Sequence, residues 1–136
     1  KIPWGKGVKE QGYTWEDYLA SKKPPSSRLP PNYKTIDFYD EATGLATSGK
    51  TLNTSTPAKM ADPRQVYYSL KGDIDAAADF TEYTRGRMTL TSDMIQKREL
   101  QVAVPPGTTP AQWQEINRAV AYGKNRGVKV IVTQTR

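Results

Sequence analysis

Lys34-Thr-Ile-Asp-Phe-Tyr-Asp-Glu-Ala-Thr-Gly-Leu-Ala-Thr-Ser-Gly-Lys-Thr-Leu-Asn53 is the stretch around which the chain is organised. Two alternating runs, Thr35 to Tyr39 and Leu45 to Leu52, flank Asp40-Glu41-Ala42-Thr43-Gly44, a pattern that predicts a hairpin. Side chains alternate across a strand, so Ile36 and Phe38 are expected on one face and Asp37 on the other. By the same rule Ser48 and Lys50 share a face. Paired in a hairpin, Asp37, Ser48 and Lys50 are expected to converge on one surface patch. A carboxylate, a hydroxyl and an ammonium together can hold a divalent metal and a phosphate, which is phosphodiester-cleaving chemistry. Polar residues on a solvated hairpin face satisfy the same spacing, so the spacing alone leaves a structural reading open.

The composition narrows the chemistry. At 136 residues the chain is read as one domain, 1–136, with room for one core. The apolar fraction is 36% and the mean hydropathy −0.73, so that core is modest. Twenty Lys and Arg against fourteen Asp and Glu give a net charge of +6, which suits a polyanion or an acidic protein as partner. There is no cysteine, hence no disulfide or thiolate site. With no histidine either, the Ser-His-Asp triad and imidazole metal ligation are excluded. Catalysis is left to carboxylates, Lys, Arg, Tyr, hydroxyls or a metal. No apolar run reaches transmembrane length, no signal peptide is evident, and a start at Lys1 is expected of a segment of something larger.

Outward from the hairpin, residues 1–12 read as a flexible lead-in. Thr14 reads as an N-cap, and Trp15, Tyr18 and Leu19 as the stripe of a short helix to Ser21. Glu16 lies off that stripe, where a first-turn carboxylate favours the helix dipole. Four prolines between Lys22 and Asn32 predict an extended connector. After a polar loop to Ala61, Asp62-Pro63 opens a helix to about Phe80, with Arg64, Gln65 and Tyr68 near its start, well placed for a phosphate. Thr81 to Gln96 is ambiguous, with Arg85, Arg87, Lys97 and Arg98 as candidate phosphate contacts around it. Glu99 to Val104 and Val128 to Thr133 read as strands, either side of a helix opened by Thr109-Pro110. Trp113 falls on that helix's apolar stripe, which favours core over base stacking. The order α-β-β-α-β-α-β predicts an α/β fold, a mixed sheet flanked by helices with the hairpin at one end.

That order, with an acid before the hairpin turn and x-x-Lys after it, resembles the PD-(D/E)XK restriction-endonuclease-like fold. Longer stretches, Arg28 to Gly44, Gln65-Val-Tyr-Tyr-Ser-Leu-Lys71, Ile74-Asp-Ala-Ala-Ala78 and Thr109 to Arg118, are similar to the C-terminal toxin domains of contact-dependent growth inhibition proteins (CdiA). The likeness extends from Trp15 to Thr133 and points to the branch that cleaves transfer RNA. It implies a metal-dependent ribonuclease toxin, carried on a larger secreted or cell-surface protein and delivered to the cytoplasm of a target bacterium. A cognate immunity protein (CdiI) is the implied partner and transfer RNA the implied substrate, with a DNase of the same fold or a non-catalytic nucleic-acid-binding module as alternatives. Carried over, Glu16 and Asp37 are the implied metal ligands, with Ser48 and Lys50 completing the catalytic set. The general pattern has an acid where this chain has Ser48. Two carboxylates suit a hard cation that keeps several waters, as Mg²⁺ does, with Mn²⁺ or Zn²⁺ as alternatives.

Overall fold

The computed structural model describes residues 1–136. Gln11, Trp15 and Leu19 recur every fourth residue, and they are the buried stripe of the first helix, α1, over Val8–Ser21. Residues 8–12, expected in the lead-in, are therefore helical. Thr14 is interior to the helix rather than its N-cap, and its hydroxyl donates to the Glu10 carbonyl at 3.1 Å. Gly12 does not break α1: one glycine costs about 1 kcal/mol in a helix, less than a buried Trp contributes. Further upstream, the Ile2 amide donates to the Arg136 carbonyl and the Trp4 indole to that of Thr135, both at 3.1 Å.

The hairpin forms from β1 (Phe38–Asp40) and β2 (Leu45–Thr51), antiparallel, with Phe38 opposite Thr47. A short helix, α2 (Pro57–Ala61), occupies part of the expected polar loop, and α3 follows over Arg64–Asp79. The helix starts one residue later than expected, with Pro63 rather than Asp62 at its N-cap, and the Asp62 carboxylate accepts the Arg64 amide at 3.1 Å. The ambiguous stretch is a second hairpin, β3 (Glu82–Arg85) and β4 (Met88–Thr91), turned at Gly86 with the positive φ such a two-residue loop requires. Then come β5 (Lys97–Val104), α4 (Pro110–Asn125) and β6 (Val128–Gln134). The Thr109 cap is as expected, and Gln112 completes a reciprocal capping box.

Strand order in the main sheet is β1-β2-β5-β6, with β5 parallel to both β2 and β6. Parallel neighbours need crossovers, and α3 and α4 lie within those two. Both pack on one face, where Leu70, Ile74, Ile116 and Ala119 meet Leu100, Val102 and Val128. Trp113 packs against this cluster, as its place on the stripe implied. On the opposite face Trp15 and Leu19 of α1 cover Phe38 and Ala103. A third cluster, with Ile36, Tyr39, Ala46, Phe80 and Leu90, joins the first hairpin to the second.

The run Thr35 to Tyr39 therefore does not alternate as expected: Ile36 and Phe38 are buried in different clusters. The reason is local. Asn32 and Thr35 have φ of 63° and 64°, and the Ile36 amide closes a tight turn on the Lys34 carbonyl at 2.6 Å. The strand begins only at Phe38.

Candidate active site

Asp37 lies where that turn opens into β1. Its amide donates to the Thr47 carbonyl at 2.9 Å, and its Oδ2 accepts the Gly49 amide at 2.7 Å. The carboxylate thus occupies the next ladder position along β2, where a backbone carbonyl would otherwise be. Its backbone and one carboxylate oxygen are both fixed, at the edge of the sheet. A Cβ at Gly49 would lie 2.9 Å from Leu19 Cδ1 and 3.6 Å from Asp37 Oδ2, so β2 passes close beneath α1 at this point.

Glu16 reaches the same place from α1. A groove of about 640 Å³ has Asp37 and Gly49 on one side and Glu16 on another, closed opposite α1 by Arg28 and Pro30-Pro31-Asn32. The Arg28 guanidinium is 3.7 Å from Glu16 and 2.8 Å from Asp17. Burial pushes the Asp37 carboxyl up to about 6, the Gly49 amide opposes this, and the neighbouring Glu16 charge raises it further. Lys50 and Arg28 pull it down by smaller amounts. A desolvated carboxylate beside a second acid is an arrangement that a cation relieves.

Ser48 and Lys50 do not join Asp37 on one outward patch. Ser48 is buried at 1% exposure, and its hydroxyl donates to the Thr35 carbonyl at 2.6 Å. A β-branched residue in the left-handed region needs such support, so Ser48 acts on the backbone turn that presents Asp37. Lys50 is exposed and lies within electrostatic reach of Asp37 on one side and of Asp73 in α3 on the other. Asp73 is half-buried, and burial raises its pKa against the pull of Lys50. The sequence reading missed Asp73, Arg28 and Gly49. Only Asp73 left a trace, as a carboxylate between Leu70 and Ile74 on an otherwise apolar flank of α3.

The candidate phosphate-binding residues are dispersed. Arg85 and Arg87 are exposed at the tip of the second hairpin. Gln65 and Tyr68 are exposed on the first turns of α3, and Arg64 there pairs with Asp62 at 3.0 Å. Lys97 is exposed beside Lys124 and Lys129, around a cavity of about 750 Å³ at the N-terminal ends of β5 and β6. None of these lines the groove of Glu16 and Asp37. Arg98 is already engaged: one guanidinium nitrogen donates to the carbonyls of Ala77, Ala78 and Phe80 at 2.7, 3.0 and 2.8 Å, closing the end of α3. Arg98→Gln is therefore expected to cost about 2–3 kcal/mol of stability in thermal or urea melts, as expected for charged hydrogen bonds. The salt dependence of nucleic-acid binding should stay as it was. A phosphate contact would give the converse, an intact melt and a salt slope reduced by about one.

The donor set fits a hard divalent cation. It is all oxygen, with one Asp37 oxygen free of hydrogen-bond donors and Glu16 in the same groove; two such carboxylates suit an ion that keeps several waters.

An antiparallel hairpin running into a parallel pair, with an acid at the hairpin edge and a second on the helix above, defines a restriction-endonuclease-like domain. The chain belongs to the family described as "CDI toxin restriction endonuclease-like domain", whose model matches residues 11–133. It is 55% identical over 135 residues to "Deoxyribonuclease CdiA-o11" of Escherichia coli O157:H7, covering 99% of this chain and 36% of that protein. It is 52% identical, over 99% of the chain, to "Deoxyribonuclease CdiA" of Yersinia pseudotuberculosis, of which it covers 12%. The chain thus spans about a third or less of the curated relatives it matches. A solved "CdiA-CT/CdiI toxin and immunity complex from Yersinia pseudotuberculosis" superposes with a TM-score of 0.83 at 52% identity, over 90% of this chain and 98% of that one.

These relatives correct the expected substrate. The resemblance pointed to the branch that cleaves transfer RNA, whereas both relatives are named deoxyribonucleases.

Proposed function

We propose that this domain is a metal-dependent DNase toxin that cuts phosphodiester bonds in the groove between α1 and the first hairpin. The observation that supports it most is the pairing of Glu16 with Asp37 in one groove, the latter held by the Gly49 amide and its pKa raised by burial. The two relatives' names supply the substrate class.

A divalent cation bound by these two carboxylates supplies Lewis-acid polarisation of a phosphate oxygen and activation of water. The chain's own groups do the rest. Asp37, immobilised through its backbone and one oxygen, orients the ligand set without reorganisation. Arg28 neutralises part of the acid pair and adds positive charge to the groove that a phosphate enters. Lys50 lies in electrostatic reach of Asp37, and its role is to stabilise charge developing on the phosphoryl oxygens. Ser48 keeps the Thr35 turn in place, and Asp73 offsets the Lys50 charge from the α3 side.

Delivery into a neighbouring bacterium on a larger CdiA protein, and neutralisation by a cognate immunity protein, belong to the same proposal. The related toxin–immunity complex and the net charge of +6 support it. Supercoiled plasmid incubated with the purified domain should convert to relaxed and linear forms once Mg²⁺, Mn²⁺ or Zn²⁺ is added. Glu16→Gln should leave the plasmid supercoiled. Cleavage by Glu16→Gln at the wild-type rate would remove Glu16 from the site.

A further inference from the structure

The amino-terminal half of α1 carries a feature that the acid pair does not explain. Lys9, Gly12, Tyr13 and Glu16 follow one another at helical spacing, i, i+3, i+4 and i+7, and all four line the groove. Lys9 is exposed and forms no ion pair, so its ammonium is free for a phosphate. Tyr13 is 50% exposed, its ring contacts no other aromatic ring and its hydroxyl bonds nothing. Tyr18 and Tyr68 are as exposed, at 51% and 52%, but each packs on a neighbouring ring, Trp15 and Tyr67, whereas Tyr13 faces the groove without one.

Gly12 is the second, independent observation. It stands mid-helix, where glycine is unfavourable, and a Cβ added there would meet nothing within 4 Å. Gly72, in the middle of α3, is equally open, so the open space alone does not mark a site; what sets Gly12 apart is its place in the groove between Lys9, Tyr13 and Glu16, where the bare backbone leaves the helix surface low.

We infer that this face of α1 is the track along which the DNA strand runs to the acid pair. Lys9 takes a backbone phosphate, Tyr13 packs on the nucleoside beside the scissile phosphate, and Gly12 admits the strand to the helix backbone between them. Lys9 and Glu16 lie seven residues apart, about 10 Å along the helix, so the two bracket a short stretch of one strand, with Tyr13 between them. The inference rests on reading the groove as a DNase site and adds the residues that position the substrate.

The test measures binding of a fluorescein-labelled DNA duplex by anisotropy, in an Asp37→Asn background that cannot cut, with plasmid cleavage in the wild-type background alongside. Tyr13→Ala should weaken binding about tenfold and Tyr13→Phe should restore it, because the ring and not the hydroxyl makes the contact. Lys9→Gln should lower the salt slope by about one. Gly12→Gln should weaken binding at least as much as Tyr13→Ala while the melting temperature stays the same or rises, and the plasmid KM should rise with kcat little changed. Wild-type affinity in both Gly12→Gln and Tyr13→Ala would overturn the inference. If that result came with Asp37→Asn unable to cut, the DNase reading would stand without it. If the wild-type domain failed to cut plasmid, the fault would lie with the DNase reading.

Discussion

Asp37→Asn is expected to lose cleavage by several orders of magnitude while melting higher than the wild type in metal-free buffer near neutral pH. The first half follows from removing a carboxylate at the only pairing of acids in the groove. The second follows from linkage. Asp37 titrates at about 6 in the folded chain against an ordinary value of 3.8, so between those values the folded state binds more protons than the unfolded one. Stability therefore falls as pH rises through this window, and above it the full penalty, about 3 kcal/mol, is present. Asparagine removes the charge and keeps an oxygen for the Gly49 amide. The stabilisation should accordingly be present at about pH 8 and absent at about pH 4, where both side chains are neutral. Alanine lacks that oxygen and would leave the Gly49 amide unpartnered, so it is the poorer variant for separating chemistry from folding. Equal melting temperatures across this range would show that Asp37 carries no buried-charge penalty.

Phe38→Ala is expected to have the largest effect on stability, about 3–5 kcal/mol. The ring is 1% exposed and packs with Trp15, Leu19 and Ala103, the cluster that fastens α1 to the sheet. The Glu16 carboxylate pairs with Arg28 and has no hydrogen bond or ion pair to the strands, so its distance from Asp37 depends on this packing. Cleavage should fall in Phe38→Ala even at temperatures where most of the protein is folded. An unchanged specific activity in the folded fraction, set by circular dichroism melts, would show that α1 keeps its position without the ring.

Much of the architecture was readable because its signals are local. The Thr109-Pro110 start of α4, the apolar runs of β5 and β6 and the Asp40–Gly44 turn each specify an element within a few residues. What escaped was set by tertiary contact. Gly12 and Thr14 read as the edge of a helix, but Gln11 extends the stripe of Trp15 and Leu19 one turn further back, and burial against Ala103 and Phe38 decides the outcome. The Thr35 turn was hidden because a threonine with positive φ has no sequence signature; it depends on the Ser48 hydroxyl thirteen residues away. That one turn is why Ile36 and Phe38 part company, and its carbonyl is what the buried Ser48 hydroxyl meets. The second hairpin shows only Leu90 fully buried, too little apolar periodicity to declare itself. At the site, Asp37 was singled out from the hairpin and Glu16 through family resemblance, and the fold brings the two into one groove. Arg98 was read from charge, which carries no information about the three carbonyls that hold it. The substrate was misread for a different reason: the resemblance was assigned to the branch that cleaves transfer RNA, whereas the relatives at 52–55% identity are named deoxyribonucleases.

The most direct test of a metal-dependent DNase is one side-by-side incubation of the wild-type domain with supercoiled plasmid and with transfer RNA, first in chelator and then with divalent metal restored. Both nucleic acids should survive in chelator, and on adding metal the plasmid should be cut while the transfer RNA remains intact. Plasmid cleavage that persists in chelator, or transfer RNA cut while plasmid is spared, would contradict the account.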